Sequence, residues 1–87
     1  KNAVWKLTIF NNTNLSNIIF EGTFEDCHFE NCSFYGVKFQ NATILNTFFK
    51  NNDRSKKVKF INCNVDKITY AFLKNNMADM TGVTLIN

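Results

Sequence analysis

A repeat array built from five-residue units is the fold class that this sequence predicts, and three observations predict it. Phe24, Phe29, Phe34, Phe39, Ile44 and Phe49 recur at every fifth position without a gap. Two places before each stands a small or compact residue: Gly22, Cys27, Cys32, Val37, Ala42 and Thr47. Neither common period accounts for this, since a helical face wants apolar residues at i, i+3, i+4 and i+7 and a half-buried strand wants strict alternation. The repeat is itself the structural signal, and units this short bury an apolar face only by stacking on their neighbours.

Read backwards, the register reaches Trp5, Phe10, Leu15 and Phe20, with Ala3, Thr8, Thr13 and Ile18 two places before them. Phe20 to Phe24 is one residue short, so the register slips around Ile19–Gly22. Read forwards, the pattern stops at the polar stretch Asn51–Lys57, which is expected to leave the array as a loop. It resumes one residue out of phase at Phe60 and runs through Val65, Tyr70, Asn75, Met80 and Leu85, with Val58, Cys63, Ile68, Leu73, Ala78 and Val83 at minus two. Tyr70–Met80 is the weakest stretch, because Asn75 interrupts the apolar column, and a short helix is the alternative there. No capping helix stands out. Residues 1–87 form a single domain, with a core centred on Phe24, Phe29, Phe34, Phe39, Phe49 and Phe60.

Ten Phe and a 45% hydrophobic content supply that core. There is no Pro and there are only three Gly, so the corners fall to the abundant Asn, which tolerates the left-handed backbone conformation. The opening at Lys1, without Met, reads as a processed or excised segment. No apolar run approaches the roughly 18 residues of a membrane span, and no signal peptide is visible. The net charge of +3 is diffuse. Its one concentration, Arg54, Lys56, Lys57 and Lys59, reads as a solvated loop, so no nucleic-acid partner is expected.

The units Cys27-His28-Phe29-Glu30-Asn31, Cys32-Ser33-Phe34-Tyr35-Gly36 and Val37-Lys38-Phe39-Gln40-Asn41 resemble pentapeptide repeats. The resemblance implies an all-β fold, a right-handed quadrilateral β-helix of about four coils. In such a solenoid the centre and the minus-two residue point inward, and coils lie ~4.8 Å apart. Residues about twenty apart then stack: Trp5, Phe24, Ile44, Val65 and Leu85 in one column, Phe10, Phe29, Phe49 and Tyr70 in a second, Phe20, Phe39, Phe60 and Met80 in a third. The fourth column, Leu15, Phe34 and Asn75, is the poorest. Asn31, Asn41, Asn46 and Asn51 are expected to form outward amide ladders.

Little in this pattern suits chemistry. The spacing Cys27-x4-Cys32 is not a familiar metal-ligand spacing, and all three cysteines occupy interior minus-two positions. Free buried thiols are the expectation, ahead of a disulfide or a zinc site. His28, the lone histidine, faces solvent with no nucleophile placed beside it. Glu25, Asp26 and Glu30 lie on exposed positions of a convex surface with no cleft for acid–base work. No enzyme activity, metal or cofactor is expected.

Asn-X-Ser/Thr occurs at Asn11, Asn14, Asn31 and Asn41, more often than chance suggests, which favours glycosylation and a secreted or luminal setting. The segments Phe29–Tyr35, Asn46–Asn51 and Lys59–Cys63 are similar to stretches of the large luminal loop of the synaptic vesicle glycoprotein 2 family. What this implies is a glycosylated receptor surface, with Asn31 as the matching glycan site, that botulinum neurotoxin binds through an open strand edge and a glycan. The expected function is a non-catalytic protein-binding module whose edge strands receive a protein partner. End-to-end dimerisation is a further way to cover those edges. The alternative is a cytoplasmic structural or assembly module, or a bacterial pentapeptide-repeat effector. A DNA-mimicking gyrase binder fits worst, since it needs a strongly negative rod.

Overall fold

Every strand pairing among the described residues of the computed structural model is parallel and joins residues about twenty apart in the chain. The model describes residues 3–52, 58–76 and 78–86. Nine strands and one helix follow in the order β1 (Val4–Lys6), β2 (Ile9–Asn11), β3 (Ile19–Glu25), β4 (His28–Glu30), β5 (Lys38–Leu45), β6 (Phe48–Lys50), β7 (Lys59–Ile61), β8 (Cys63–Val65), α1 (Lys67–Asn75) and β9 (Val83–Leu85). The fold is strand-rich with little helix. One sheet runs β1-β3-β5-β8-β9, with β7 also on β5, and a second runs β2-β4-β6.

The register of these sheets follows the five-residue pattern. Trp5 pairs with Phe24, Phe24 with Ile44, Ile44 with Val65, and Val65 with Leu85. Phe10, Phe29 and Phe49 align in the second sheet. The one-residue slip is an irregularity between Phe20 and Gly22 in β3, where partner spacing changes from Phe20–Phe39 to Gly22–Ala42. Only glycine serves there: its φ is +105°, and a Cβ would stand 2.1 Å from the Ala3 carbonyl oxygen.

Backbone turns between these strands rest on left-handed residues at Leu7, Asn12, Asn17, Asp26, Asn31, Asn41, Asn46, Asn51 and Asn62. Seven of these nine are Asn, the residue that takes this conformation most readily after Gly. The minus-two residue that follows each turn often locks it. Cys27, Cys32, Cys63, Thr8, Thr13 and Thr47 all donate their side-chain hydrogen to the carbonyl two residues back. The three thiols also reach the preceding circuit, at 3.2 Å from the carbonyls of Trp5, Phe10 and Phe39. All three are free and buried.

Inside, Phe24, Phe29, Phe34, Phe39, Phe49 and Phe60 are buried. Rings of one column stack nearly parallel: Trp5 on Phe24 at 1°, Phe10 on Phe29 at 9° and Phe29 on Phe49 at 8°. Neighbouring columns meet edge to face, as Phe29 and Phe39 do at 84°. Both arrangements suit the ring quadrupole and add about 0.5–1.5 kcal/mol per pair beyond burial.

The pattern departs from the sequence reading after Val65. Tyr70 and Asn75 do not continue their columns, because Lys67–Asn75 is a helix, beginning ahead of the Tyr70–Met80 alternative. Asp66 caps it by accepting from the Thr69 amide at 3.1 Å, and Lys74 lies in its last turn. The helix buries Thr69 and Leu73, one turn apart, and sets Phe72 edge-on against Phe48 at 4.6 Å. A capping helix therefore exists, contrary to the sequence reading. Of the expected loop Asn51–Lys57, residues 53–57 lie outside the described residues.

Candidate functional site: strand edges and a polar corner

The helix occupies the place where a fourth strand of the β2-β4-β6 sheet would lie. The amide of Asn46 donates to the Asp66 carboxylate at 2.8 Å, and that of Thr47 to the Thr69 hydroxyl at 3.1 Å. Asn76 donates its side-chain amide to the Phe49 carbonyl at 2.8 Å. Asn52 performs a similar service at β4, whose Phe29 pairs with Phe49, accepting from the Cys32 amide and donating to the Phe29 carbonyl, each at 2.8 Å. Side chains of Asp66, Thr69 and Asn76 thus replace main chain along the β6 edge. Burial alone would raise the Asp66 carboxyl, but hydrogen bonds from the Thr69 side chain and from the Asn46 and Thr69 amides outweigh it and hold the group below its ordinary value.

Among the described residues no such cover stands over β1 and β2. Between them opens a cavity of about 350 Å³ lined by Trp5, Phe10, Leu15, Ile18 and Phe20. Glu21 also lines it and accepts from Gln40 at 2.7 Å, a hydrogen bond that holds its carboxyl below the usual range.

The four Asn-X-Ser/Thr asparagines are all exposed. The fold gathers three of them: Asn31 donates to Asn11 at 3.5 Å, and Asn14 bridges to Ser33, the hydroxyl residue of the Asn31 motif. A polar depression of about 340 Å³ is lined by Asn12, Thr13, Asn14, Asn31 and Ser33. Asn41 stands apart and accepts from Asn62 at 2.9 Å. The outward amides form separate pairs rather than one ladder through Asn31, Asn41, Asn46 and Asn51. Asn46 pairs with Asp26.

The residues weighed for chemistry do not converge. His28 is exposed beside the Phe48 ring at 5.2 Å. Among the described residues no group of three or more His, Cys, Asp or Glu side chains is placed to hold a metal ion. Burial pushes the Cys63 thiol up, away from the reactive thiolate. Lys59 is exposed, while Arg54, Lys56 and Lys57 lie outside the described residues. No described helix is long and apolar enough to cross a membrane.

The described residues thus form a strand-stacked domain with exposed strand edges and an asparagine-rich outer wall. The family model that matches this chain is the SV2A/B/C luminal domain, over residues 1–70, and the chain belongs to that family. The match spans β1 to β8 and the start of α1. No curated protein and no solved structure matches the chain.

Proposed function

We propose that the chain is a glycosylated, non-catalytic protein-binding domain, luminal or secreted, whose strand edges receive a protein partner. Membership in the SV2 luminal-domain family is the observation that carries this reading. In the same reading the fold is a pentapeptide-repeat solenoid, a right-handed quadrilateral β-helix of about four coils. Parallel partners such as Phe24 and Ile44, one circuit apart, support it, as do left-handed residues at positions 31, 36, 41, 46 and 51, one per side of a square. Asn31 and Asn41 are the leading glycan sites, since each is exposed at a turn and keeps its side chain outside the core. Asn11 and Asn14 share the Asn31 face and come second. The similarity of Phe29–Tyr35 to the family's luminal loop extends the reading to a surface that a botulinum neurotoxin binds by strand addition beside a glycan. Non-catalytic character is supported by the outward placement of His28 and the inert burial of the thiols.

The test is expression in a secretory eukaryotic host, with intact mass measured before and after glycosidase. The expected result is a glycosidase-sensitive mass that falls by one glycan in Asn31→Gln. A secreted, folded chain carrying no glycan overturns the glycoprotein reading.

A further inference from the structure

A row of aromatic rings runs up the outside of the β2-β4-β6 sheet and onto the helix. His28 in β4 aligns with Phe48 in β6, their rings 5.2 Å apart, and Phe72 of α1 meets Phe48 edge to face at 4.6 Å and 80°. His28 is exposed, and Phe48 and Phe72 are only half-buried. Beside this row, between β6 and the C-terminal end of α1, lies a cleft of about 340 Å³. Phe48, Lys50 and Asn51 line one side, and Phe72, Asn75 and Asn76 the other. Asn76 is committed to the Phe49 and Phe72 carbonyls, whereas Lys50, Asn51 and Asn75 are exposed. Two other depressions lack this combination. The polar one at Asn14 and Asn31 has no ring, and one of about 280 Å³ at Lys59 sets Asp79 against the cation.

We propose that this cleft binds a neutral carbohydrate, a pyranose whose C–H face lies on the Phe48 and Phe72 rings and whose hydroxyls meet Asn51, Asn75 and Lys50. An aromatic face carries partial negative charge, which attracts the polarised C–H bonds of a sugar. Each sugar hydroxyl both donates and accepts, and so does each Asn side chain, while Lys50 only donates. A purely apolar ligand would strip water from Lys50, Asn51 and Asn75 and return nothing for it. Charge does not select an anion either. Glu30 aligns with Lys50 one strand back, and the cleft lies at the negative end of the helix dipole, which Lys74 in the last turn offsets. In size the cleft stands at the small end of ligand sites, which run roughly from 300 to 1,000 Å³, and that suits one or two sugar rings. The site straddles the end of the family match: Phe48, Lys50 and Asn51 fall within residues 1–70, and Phe72 and Asn75 beyond them.

The test is an amide-resolved NMR titration of the 87-residue chain, produced without glycans, with the methyl glycosides of glucose, galactose, mannose and N-acetylglucosamine. Each is taken to about 50 mM, because a ligand of so few atoms on a shallow site binds in the millimolar range. Sodium acetate, glycerol and a short extended peptide serve as controls. The expected result is a saturable shift of the Lys50, Asn51 and Asn75 amides by at least one glycoside and by none of the controls. Phe48→Ala is expected to abolish it. Because Phe48 also packs on the helix, Asn75→Ala and His28→Ala, both exposed, carry the test with the fold intact, and each is expected to weaken binding about three- to tenfold. Asn64→Ala, exposed in β8, is expected to change nothing. No saturable shift with any of the four sugars overturns the proposal. So does a shift that acetate, glycerol or the peptide reproduces, or one that survives both Asn75→Ala and His28→Ala. The added sugar, not an attached one, is what is read, so this proposal and the glycoprotein reading fail separately.

Discussion

At the C-terminal end, the amides of Asn46 and Thr47 and the carbonyl of Phe49 point where another strand would run and are met by Asp66, Thr69 and Asn76. At the N-terminal end, β1 and β2 aim the backbone amides of Val4, Lys6, Ile9 and Asn11 away from β3 and β4, beside an open cavity, while the Lys6 and Asn11 carbonyls accept from Thr8 and Thr13. The β6 edge is thus met by side chains, whereas no described residue meets β1 and β2 in the same way. The difference teaches that a parallel edge can be closed by side chains set on a helix, provided their spacing matches the row of groups left behind. Asp66, Thr69 and Asn76 match because the helix cap, first turn and C-cap lie along β6.

The sharpest test of this contrast compares two rings in one column. Phe29 is buried between Phe10 and Phe49, whereas Phe10 has a ring on one side of its column only. Phe29→Ala is expected to cost about 3–5 kcal/mol in equilibrium denaturation. Phe10→Ala, half-buried at the open end, is expected to cost about 1–2 kcal/mol. Equal losses would mean that the two ends are equally closed in solution.

Next in size is the helix anchor. Asn76→Ala leaves the Phe49 carbonyl without its donor and is expected to destabilise by about 1–3 kcal/mol. Hydrogen exchange locates the effect: the amides of Asn46 and Thr47 speed up, while those of Val4 and Ile9, already fast, do not change. A uniform change across the chain would show that the helix does not act as a local cap.

Acid supplies a smaller effect at the same end. The Asp66 carboxyl is held below its ordinary value in the folded state, so its stabilisation is present above the ordinary aspartate range and is lost as pH falls through the lowered value. Thermal stability is expected to fall below about pH 4, and Asp66→Asn to flatten that fall while costing about 1 kcal/mol near neutrality as a weakened cap. An acid profile unchanged by Asp66→Asn would separate the cap from the pH response. The smallest expected effect lies at the open end. Leu7 is exposed and left-handed at φ 53°, where Asp26 and Asn46 hold the turns of later circuits. Leu7→Asn is expected to stabilise by about 0.5–1 kcal/mol in the same denaturation assay.

How much of this was legible depended on which force set each element. The columns from Trp5 to Val65 and from Phe20 to Phe60 could be read as sequence because burial acts on every fifth residue, whereas Leu85 keeps the register opposite Val65 but is exposed; the slip at Ile19–Gly22 announced the irregularity in β3. Asparagine at the turns was legible for a similar reason, a shortage of Gly and Pro. The helix was not, except as an alternative, because Ile68, Leu73, Ala78 and Met80 keep the five-residue register while Thr69, Leu73 and Asn76 also keep a helical one. The signal that distinguishes them is Asp66 three residues before Thr69, a cap whose use depends on the neighbouring circuit. The gathering of Asn11, Asn14 and Asn31 was equally hidden, since it arises only from stacking.

The left-handed turns carry one more consequence, for how readily such a surface changes over generations. Asn31 and Asn41 turn the chain and open an acceptor motif in the same stroke, because the residue two places on is an outward Ser33 or Thr43. Asn46 and Asn62 also turn the chain, followed two places on by Phe48 and Asn64. A single change to Ser or Thr at either would write a new Asn-X-Ser/Thr motif, and at Asn64, exposed in β8, without disturbing the Phe48 ring that packs on Phe72. The grammar that stacks the core keeps its outer wall one letter from a different set of acceptor motifs.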